Sequence, residues 1–340
     1  MTRLSPALPA EIAAAVAALL DNVPRRPLAE RARRLSVGYR ANRPTSETIR
    51  DETDALAYAA ARLPATYAAA AAVLSRLRDE RPDFAPRRIL DLGCGLGAAS
   101  FAALEAWPNI ESVTLLDRSR EFLALARRIA QSCGRDALAA AKIVEADIAR
   151  SPEFEGAPFD LVLIGYALTE LPDAVVRPAL ARLWPCVGGA LVVVEPGTPR
   201  DHARLMTVRG QLVSLGAVVA APCPHSRPCP LVPPDWCHFS VRLPRSRDHR
   251  LLKGADAPFE DEKYSYLVAM RGAPDERRSA RILAPPLERK PGISLKLCSE
   301  TGICETSILK RDKARYGAVR RKVWGDLVDA PAKETAKETE

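Results

Sequence analysis

A doubly wound α/β domain is predicted for the middle of this chain, on three observations. Between residues 85 and 200, short apolar runs alternate with stretches of helical spacing. The runs are apolar at consecutive positions, as strands buried on both faces of a parallel sheet must be. The first run also leads through a glycine-rich turn into a helix, an arrangement that places a ligand at the carboxyl edge of such a sheet.

The strands follow in order. Arg88-Ile89-Leu90-Asp91-Leu92 is the first, then the turn and a helix to about Trp107. Val113 to Asp117 is the second, followed by a helix from Arg120 to Gln131. Ile143 to Asp147 is a weaker third, Phe159 to Ile164 the fourth and Ala190 to Glu195 the fifth. Residues 1–82, rich in Ala, Arg and Leu, show helical spacing with breaks near Pro24-Arg25-Arg26-Pro27 and Arg43-Pro44. Ile12, Val16 and Leu20 recur at i, i+4 and i+8 behind Glu11, which reads as an amphipathic helix rather than a secretory segment. After residue 245 the sequence turns polar, basic and rich in turn residues. The expected division is a helical region at 1–82, the α/β domain at 83–220, a cysteine-bearing basic module at 221–328 and a disordered tail at 329–340.

Of the 340 residues 47% are hydrophobic and 27% charged, which excludes a mostly disordered or collagen-like chain. No apolar run reaches the ~18–20 residues of a membrane-spanning helix, so no membrane partner is expected. Lys and Arg total 50 against 42 acids, a net charge of +8 that permits a polyanionic partner. Part of that charge lies between Arg25 and Arg43, where Arg25, Arg26, Arg31, Arg33, Arg34, Arg40 and Arg43 accompany the single acid Glu30. That run is either a solvated helix face or a phosphate-contacting one.

The turn reads Asp91-Leu92-Gly93-Cys94-Gly95-Leu96-Gly97-Ala98. Alternate glycines let the backbone turn tightly and approach a ligand at a helix N-terminus. Asp117 ends the second strand, where a carboxylate can accept both hydroxyls of a ribose. An adenosine-containing ligand follows. Gly93-x-Gly95-x-x-Ala98 also fits the dinucleotide fingerprint, which keeps a nicotinamide cofactor as the alternative. The Asp-x-Gly-x-Gly-x-Gly run resembles motif I of the class I methyltransferases, which implies S-adenosylmethionine. That resemblance names Asp91, Gly93, Gly95, Gly97 and Asp117 as cofactor residues and places Asp147 at the adenine. The Asn/Asp-Pro-Pro-Tyr/Phe tetrapeptide of amino methyltransferases is absent after the fourth strand, where the chain reads Gly165-Tyr166-Ala167-Leu168-Thr169-Glu170. Cys186, after Trp184-Pro185, reads as a buried structural residue, so the catalytic residues stay unassigned.

Cys223, Cys229 and Cys237 fall within a Pro-rich stretch, spaced C-x5-C-x7-C. Thiolates on an irregular loop select zinc or an iron–sulfur cluster. A fourth ligand must come from elsewhere, with Cys298 and Cys304 as thiol candidates and His225 and His238 as nitrogen ones. Zinc sites usually use C-x2–4-C pairs, which are missing, as is the C-x3-C-x2-C of radical S-adenosylmethionine enzymes. Spacing alone leaves iron–sulfur and zinc open.

Arg62-Leu63-Pro64-Ala65-Thr66-Tyr67, Val194-Glu195-Pro196-Gly197-Thr198-Pro199, the Cys-Pro-His…Cys-Pro-Leu…Asp-Trp-Cys-His-Phe-Ser block, Glu260 to Leu267, and Lys310-Arg311-Asp312-Lys313…Trp324-Gly325-Asp326 complete the picture. Together they resemble the methyltransferase-like family of the mitochondrial small ribosomal subunit, which has a bacterial branch. The resemblance runs from about residue 35 to 326. It implies a fold that binds S-adenosylmethionine, a 4Fe–4S cluster on four cysteines, and a role in assembling the small ribosomal subunit on its rRNA. By position the ligands would be Cys223, Cys229, Cys237 and Cys298, with Cys304 the alternative to the last. It gives a purpose to the basic stretch Lys310, Arg311, Lys313, Arg315, Arg320, Arg321 and Lys322, and to Arg242, Arg245, Arg247, Arg250 and Lys253 upstream, as an rRNA-facing surface. The expected state is a ribosome-associated monomer in a bacterial cytoplasm, or in mitochondria for a eukaryotic source.

Overall fold

A computed structural model describes residues 3–40, 44–150, 158–272 and 279–330. Arg43 and the tail beyond Ala330 lie outside them.

The N-terminal region is helical, as its spacing requires: α1 (Ala10–Leu20), α2 (Arg25–Arg40), α3 (Thr45–Thr48), α4 (Glu52–Ala61) and α5 (Leu63–Glu80). The breaks fall at the proline clusters, since Pro cannot continue a preceding helix. Asp51 caps α4 by accepting from Asp54 N. The α/β part continues with β1 (Arg88–Leu92), α6 (Ala98–Ala106), β2 (Ser112–Asp117), α7 (Arg120–Ser132), α8 (Asp136–Ala139), β3 (Lys142–Glu145), β4 (Phe159–Gly165), α9 (Asp173–Leu183), β5 (Val187–Pro196), α10 (Pro199–Ser214) and β6 (Val218–Ala221). β7 (Phe239–Pro244), α11 (Arg247–Lys253) and β8 (Phe259–Met270) follow.

The five expected strands are present. β1 to β5 run parallel in the order β3-β2-β1-β4-β5, so the order reverses between β1 and β4. Ligands bind outside the carboxyl ends of strands at such a switch point. Alternate strand residues feed two cores. Ile89, Leu161, Leu163, Val192 and Val194 pack under α4 to α7. Leu90, Leu92, Val162, Ile164, Leu191 and Val193 pack with Leu180 of α9 and Leu205 of α10. Burial on both faces explains why the runs are apolar at every position.

The sheet is mixed rather than purely parallel. β8 is inserted between β5 and β6 and runs antiparallel to both, while β7 pairs with β8 on the same side as β6. This antiparallel insertion makes the fold that of a class I methyltransferase. It also moves the division expected at residue 221: residues 239–270 complete the main sheet.

The second sheet is built from β9 (Ser279–Ile282), β10 (Leu287–Arg289), β11 (Gly292–Ser299), β12 (Gly302–Leu309) and β13 (Leu327–Asp329), with α12 (Lys313–Val319) against it. Ile293, Leu295 and Leu297 alternate on β11 and bury with Ala280, Ile282, Ile308 and Val319. Arg281 ties the two sheets. It is 1% exposed and donates to Pro222 O (2.6 Å), Gly325 O (2.8 Å) and both Glu80 oxygens (2.5 and 2.9 Å). No helix among the described residues is long and apolar enough to cross a membrane.

Candidate cofactor cavity and cysteine site

The turn after β1 is left-handed at Gly93 (φ +65°), Gly95 (+52°) and Gly97 (+86°). Gly93 is the tightest: a Cβ there would meet Ala167 Cβ at 2.6 Å and Ile148 Cδ1 at 3.0 Å. Gly95 N donates to Asp117 Oδ2 (2.8 Å) and Ser119 N to Asp117 Oδ1 (2.9 Å). Asp117 therefore fastens the turn to the end of β2 and lines the cavity. Asp91 is buried and accepts from Ser100 N (3.1 Å) and Ser100 Oγ (2.7 Å), which fixes the first turn of α6. Burial pushes its carboxyl up to about 7.

A cavity of about 890 Å³ opens at the carboxyl ends of β1, β2 and β4, beneath the N-terminal helices. Of the predicted cofactor residues Gly93, Gly95, Asp117 and Asp147 line it. Asp91 lies behind it on a small space of about 40 Å³, and Gly97 serves as the α6 cap. Asp147 accepts from Ala149 N (2.9 Å).

The opposite wall carries Tyr166 and Glu170 of the loop after β4, together with Arg62 and Glu262, which spacing did not single out. Tyr166, at φ +58°, donates from its hydroxyl to Glu262 Oε1 (2.9 Å). Arg62 bonds the same carboxylate at 3.3 and 3.4 Å and lies over the rings of Tyr39 and Tyr166, 5.8 and 5.7 Å from their centroids. Burial lifts the Tyr166 hydroxyl well above its ordinary value, and the Glu262 charge adds to that. Glu170 accepts from Thr45 N (2.8 Å) and from Thr45 Oγ1, and burial raises its carboxyl. Glu195, pushed up to about 8 by burial, accepts from Leu168 N and Thr169 N at 3.0 Å each. The loop after β4 is thus held in shape by the Glu195 carboxylate of β5 and by Thr45 of the N-terminal region. The walls supply acceptors for hydroxyls and amines, and aromatic faces for a flat ring.

Cys223, Cys229, Cys237 and Cys298 lie close enough to act on one another electrostatically. Burial first, then Cys223, Cys298 and Cys229 in turn, raise the Cys237 thiol well above its ordinary value. Burial, then Cys223 and Cys229, push Cys298 up to about 12. Cys304 is elsewhere. It stands opposite Leu297 in the β11–β12 register and packs in the core with it, whereas Cys298 projects from the other face of the pleat. His225 Nε2 is 3.9 Å from Cys298 Sγ, while His238 stacks on Trp236 at 4.8 Å. Among the described residues no three His, Cys, Asp or Glu side chains close around a single metal ion.

The donor set still fits a thiolate-bound centre, because the surroundings carry buried positive charge. Arg281 reaches the carbonyl before Cys223. Arg209 of α10, 3% exposed, donates to His225 O (2.8 Å) and Arg227 O (2.6 Å), inside the loop between Cys223 and Cys229. Its Nε is buried without a partner. Arg281 is already paired with Glu80, but four neutral thiols would leave Arg209 without a counter-charge, and thiolates would supply one.

The basic stretches differ in kind. Lys310, Arg311, Lys313, Arg315, Arg320, Arg321 and Lys322 are all exposed. Only Arg315 pairs with an acid among the described residues, Asp312 at 3.9 Å. The upstream extension is partly spent: Arg242 pairs with Asp261, and Arg245 and Lys253 with Glu260. So is the N-terminal run, where Arg25 pairs with Asp248 and Arg31 and Arg34 converge on the buried Asp54.

Comparison with known proteins agrees with this architecture. The family described as mitochondrial small ribosomal subunit Rsm22 matches residues 52–329. The human ribosome assembly protein METTL17, mitochondrial, is 30% identical over 291 residues, covering 80% of this chain and 62% of the human protein. The Rsm22-cox11 tandem protein 2, mitochondrial, of Schizosaccharomyces pombe is 24% identical over 335 residues, covering 83% of this chain and 44% of its own. This chain thus spans less than two-thirds of either relative. Demethylmenaquinone methyltransferase of Thermus thermophilus is 36% identical over 119 residues, 34% of this chain and 50% of that enzyme. With a match that runs from α4 through β13, on a class I methyltransferase fold, the chain belongs to the Rsm22 family of the mitochondrial small ribosomal subunit.

Proposed function

We propose that this chain is an assembly factor of the small ribosomal subunit that grips rRNA with its C-terminal unit, binds S-adenosylmethionine in the cavity and carries a structural 4Fe–4S cluster. The observation that carries the reading is the run of exposed, largely unpaired cations from Lys310 to Lys322, attached to a segment held by Arg76 and by the buried Arg281. Arg76 donates to Trp324 O (2.8 Å) and to Gly325 O, and Arg281 donates to Gly325 O and to the carbonyl before Cys223. Free cations on a fixed support are what a phosphate backbone needs.

Cys223, Cys229, Cys237 and Cys298 would hold the cluster. The four thiols act on one another electrostatically, and iron–sulfur rather than zinc is what the family resemblance implies. Bound there, the cluster supplies a cross-link between the main sheet and β11. In the cavity, the backbone at Gly93 and Gly95 would face the amino-acid part of the cofactor, Asp117 its ribose and Asp147 its adenine. The site is a ribosome-associated one in either a bacterial or a mitochondrial compartment.

The test is Cys229→Ser, with iron content and association with small subunits measured together. Loss of both supports the reading, and unchanged association without iron refutes the structural role. A second reading, active rRNA methylation, is favoured by Tyr166 and Glu170 on the cavity wall. Mapping rRNA methylation in a deletion strain complemented with Asp91→Ala separates the two: a rescued phenotype with no methyl mark lost favours assembly without chemistry.

A further inference from the structure

We infer that Arg209 is the buried counter-charge of the centre held by Cys223, Cys229, Cys237 and Cys298, and that it sets how readily that centre accepts an electron. The inference rests on the cluster reading and extends it to a residue outside the ligand set.

Arg209 stands apart from the other deeply buried cation. Arg281 has Glu80 as its partner, at 2.5 and 2.9 Å. Arg209 has no carboxylate within ion-pair distance among the described residues. Its two hydrogen bonds go to backbone carbonyls, and Nε remains a buried donor with nothing to receive it. A guanidinium cannot neutralise itself by losing a proton, so its burial calls for an anion nearby. The carbonyls that hold it, His225 and Arg227, lie between Cys223 and Cys229 and aim the fork into the cysteine loop.

The charges balance in the same direction. Four thiolates around a 4Fe–4S core of charge +2 leave a net −2. One-electron reduction makes that −3, and a fixed cation favours the more negative state. Hydrogen bonds and charge near the sulfurs are established levers on such potentials. Arg209 is therefore a positioning and charge-setting residue, not a ligand.

The experiment uses the full chain purified without oxygen, as wild type, Arg209→Gln and Arg209→Lys. Iron and acid-labile sulfide are measured first, then the midpoint potential by dithionite titration followed by electron paramagnetic resonance. Arg209→Gln should keep its cluster and show an about tenfold lower ratio of reduced to oxidised centre at the wild-type midpoint, which is 59 mV for one electron. Arg209→Lys, which keeps the charge, should stay within about twofold of wild type. An unshifted Arg209→Gln, or an Arg209→Lys shifted as far, overturns the inference and leaves the cluster reading standing. If Arg209→Gln holds no iron, Arg209→Lys decides: a cluster at the wild-type midpoint supports the inference, and no cluster overturns it by making Arg209 a structural tie. Wild-type protein without iron and sulfide overturns both readings.

Discussion

Gly93→Ala is the sharpest probe of the cofactor turn. Gly93 sits at φ +65°, and a methyl group there would come within 2.6 Å of Ala167 Cβ and 3.0 Å of Ile148 Cδ1. The left-handed backbone alone costs a residue with a Cβ about 1–2 kcal/mol. Forcing a methyl into packed surroundings costs a further ~1–3 kcal/mol. The sum is about 2–5 kcal/mol. Gly134→Ala separates the two contributions, since Gly134 has φ +67° and nothing within 4 Å of the added Cβ, so it should cost only the backbone part. The assay is urea unfolding of both variants, with equal slopes checked before midpoints are compared. Ala167 and Ile148 both line the cavity, so Gly93→Ala should also weaken calorimetric binding of S-adenosylhomocysteine, and Gly134→Ala should leave it unchanged. A Gly93→Ala protein as stable as Gly134→Ala, with intact binding, refutes the tight fit.

Three further outcomes are expected. Arg281→Met removes the Glu80 ion pair and the donor to Pro222 O, and should cost about 3–5 kcal/mol in urea unfolding; a loss under ~1 kcal/mol contradicts its role as the junction. Cys298→Ser should abolish iron binding while Cys304→Ser keeps it, because the two project from opposite faces of the β11–β12 hairpin; the reverse result reassigns the fourth ligand. Burial holds the Asp91 carboxyl near 7, against about 3.9 in an unfolded chain. Between those values the folded chain keeps a proton the unfolded chain has lost, so the contribution of Asp91 falls as pH rises through that window. Asp91→Asn removes the decline and should gain on wild type by about 2 kcal/mol between pH 5 and 7.5. Parallel stability–pH curves for the two proteins contradict this.

What could be read from the sequence was local. β1, β2, β4 and β5 are continuous apolar runs because both faces are covered, and the turn between β1 and α6 betrays itself by its glycines. The cysteines were visible by density, whereas the preference for Cys298 over Cys304 came from the resemblance alone. β8 was hidden for two reasons. Its first half, Glu260-Asp261-Glu262-Lys263, is polar, and its place between β5 and β6 is a fact of topology that no neighbouring residue encodes. The second sheet was missed although Ile293, Leu295 and Leu297 alternate as a half-buried strand should, since basic and turn residues surround them. Arg62, Glu262, Arg209 and Arg281 look like ordinary surface charges in one dimension. They become wall, counter-charge and junction only when distant segments close over them. The basic runs misled in the opposite sense: Arg31, Arg34 and Arg245 are spent on internal pairs.

The wedged position of β8 bears on how the chain is made. While it emerges from the ribosome, β5 and β6 cannot be joined until residue 270 is out, and until then each offers a raw edge of backbone donors and acceptors. Such edges recruit other chains. A fragment stopped at residue 220 keeps both edges and is an aggregation hazard, whatever its motifs promise. The same strand delivers Glu262 to the cavity and Ser265, whose hydroxyl donates to Cys237 O, to the cysteine loop. On the proposed reading, loading with nucleoside or iron would wait until β8 has joined the sheet.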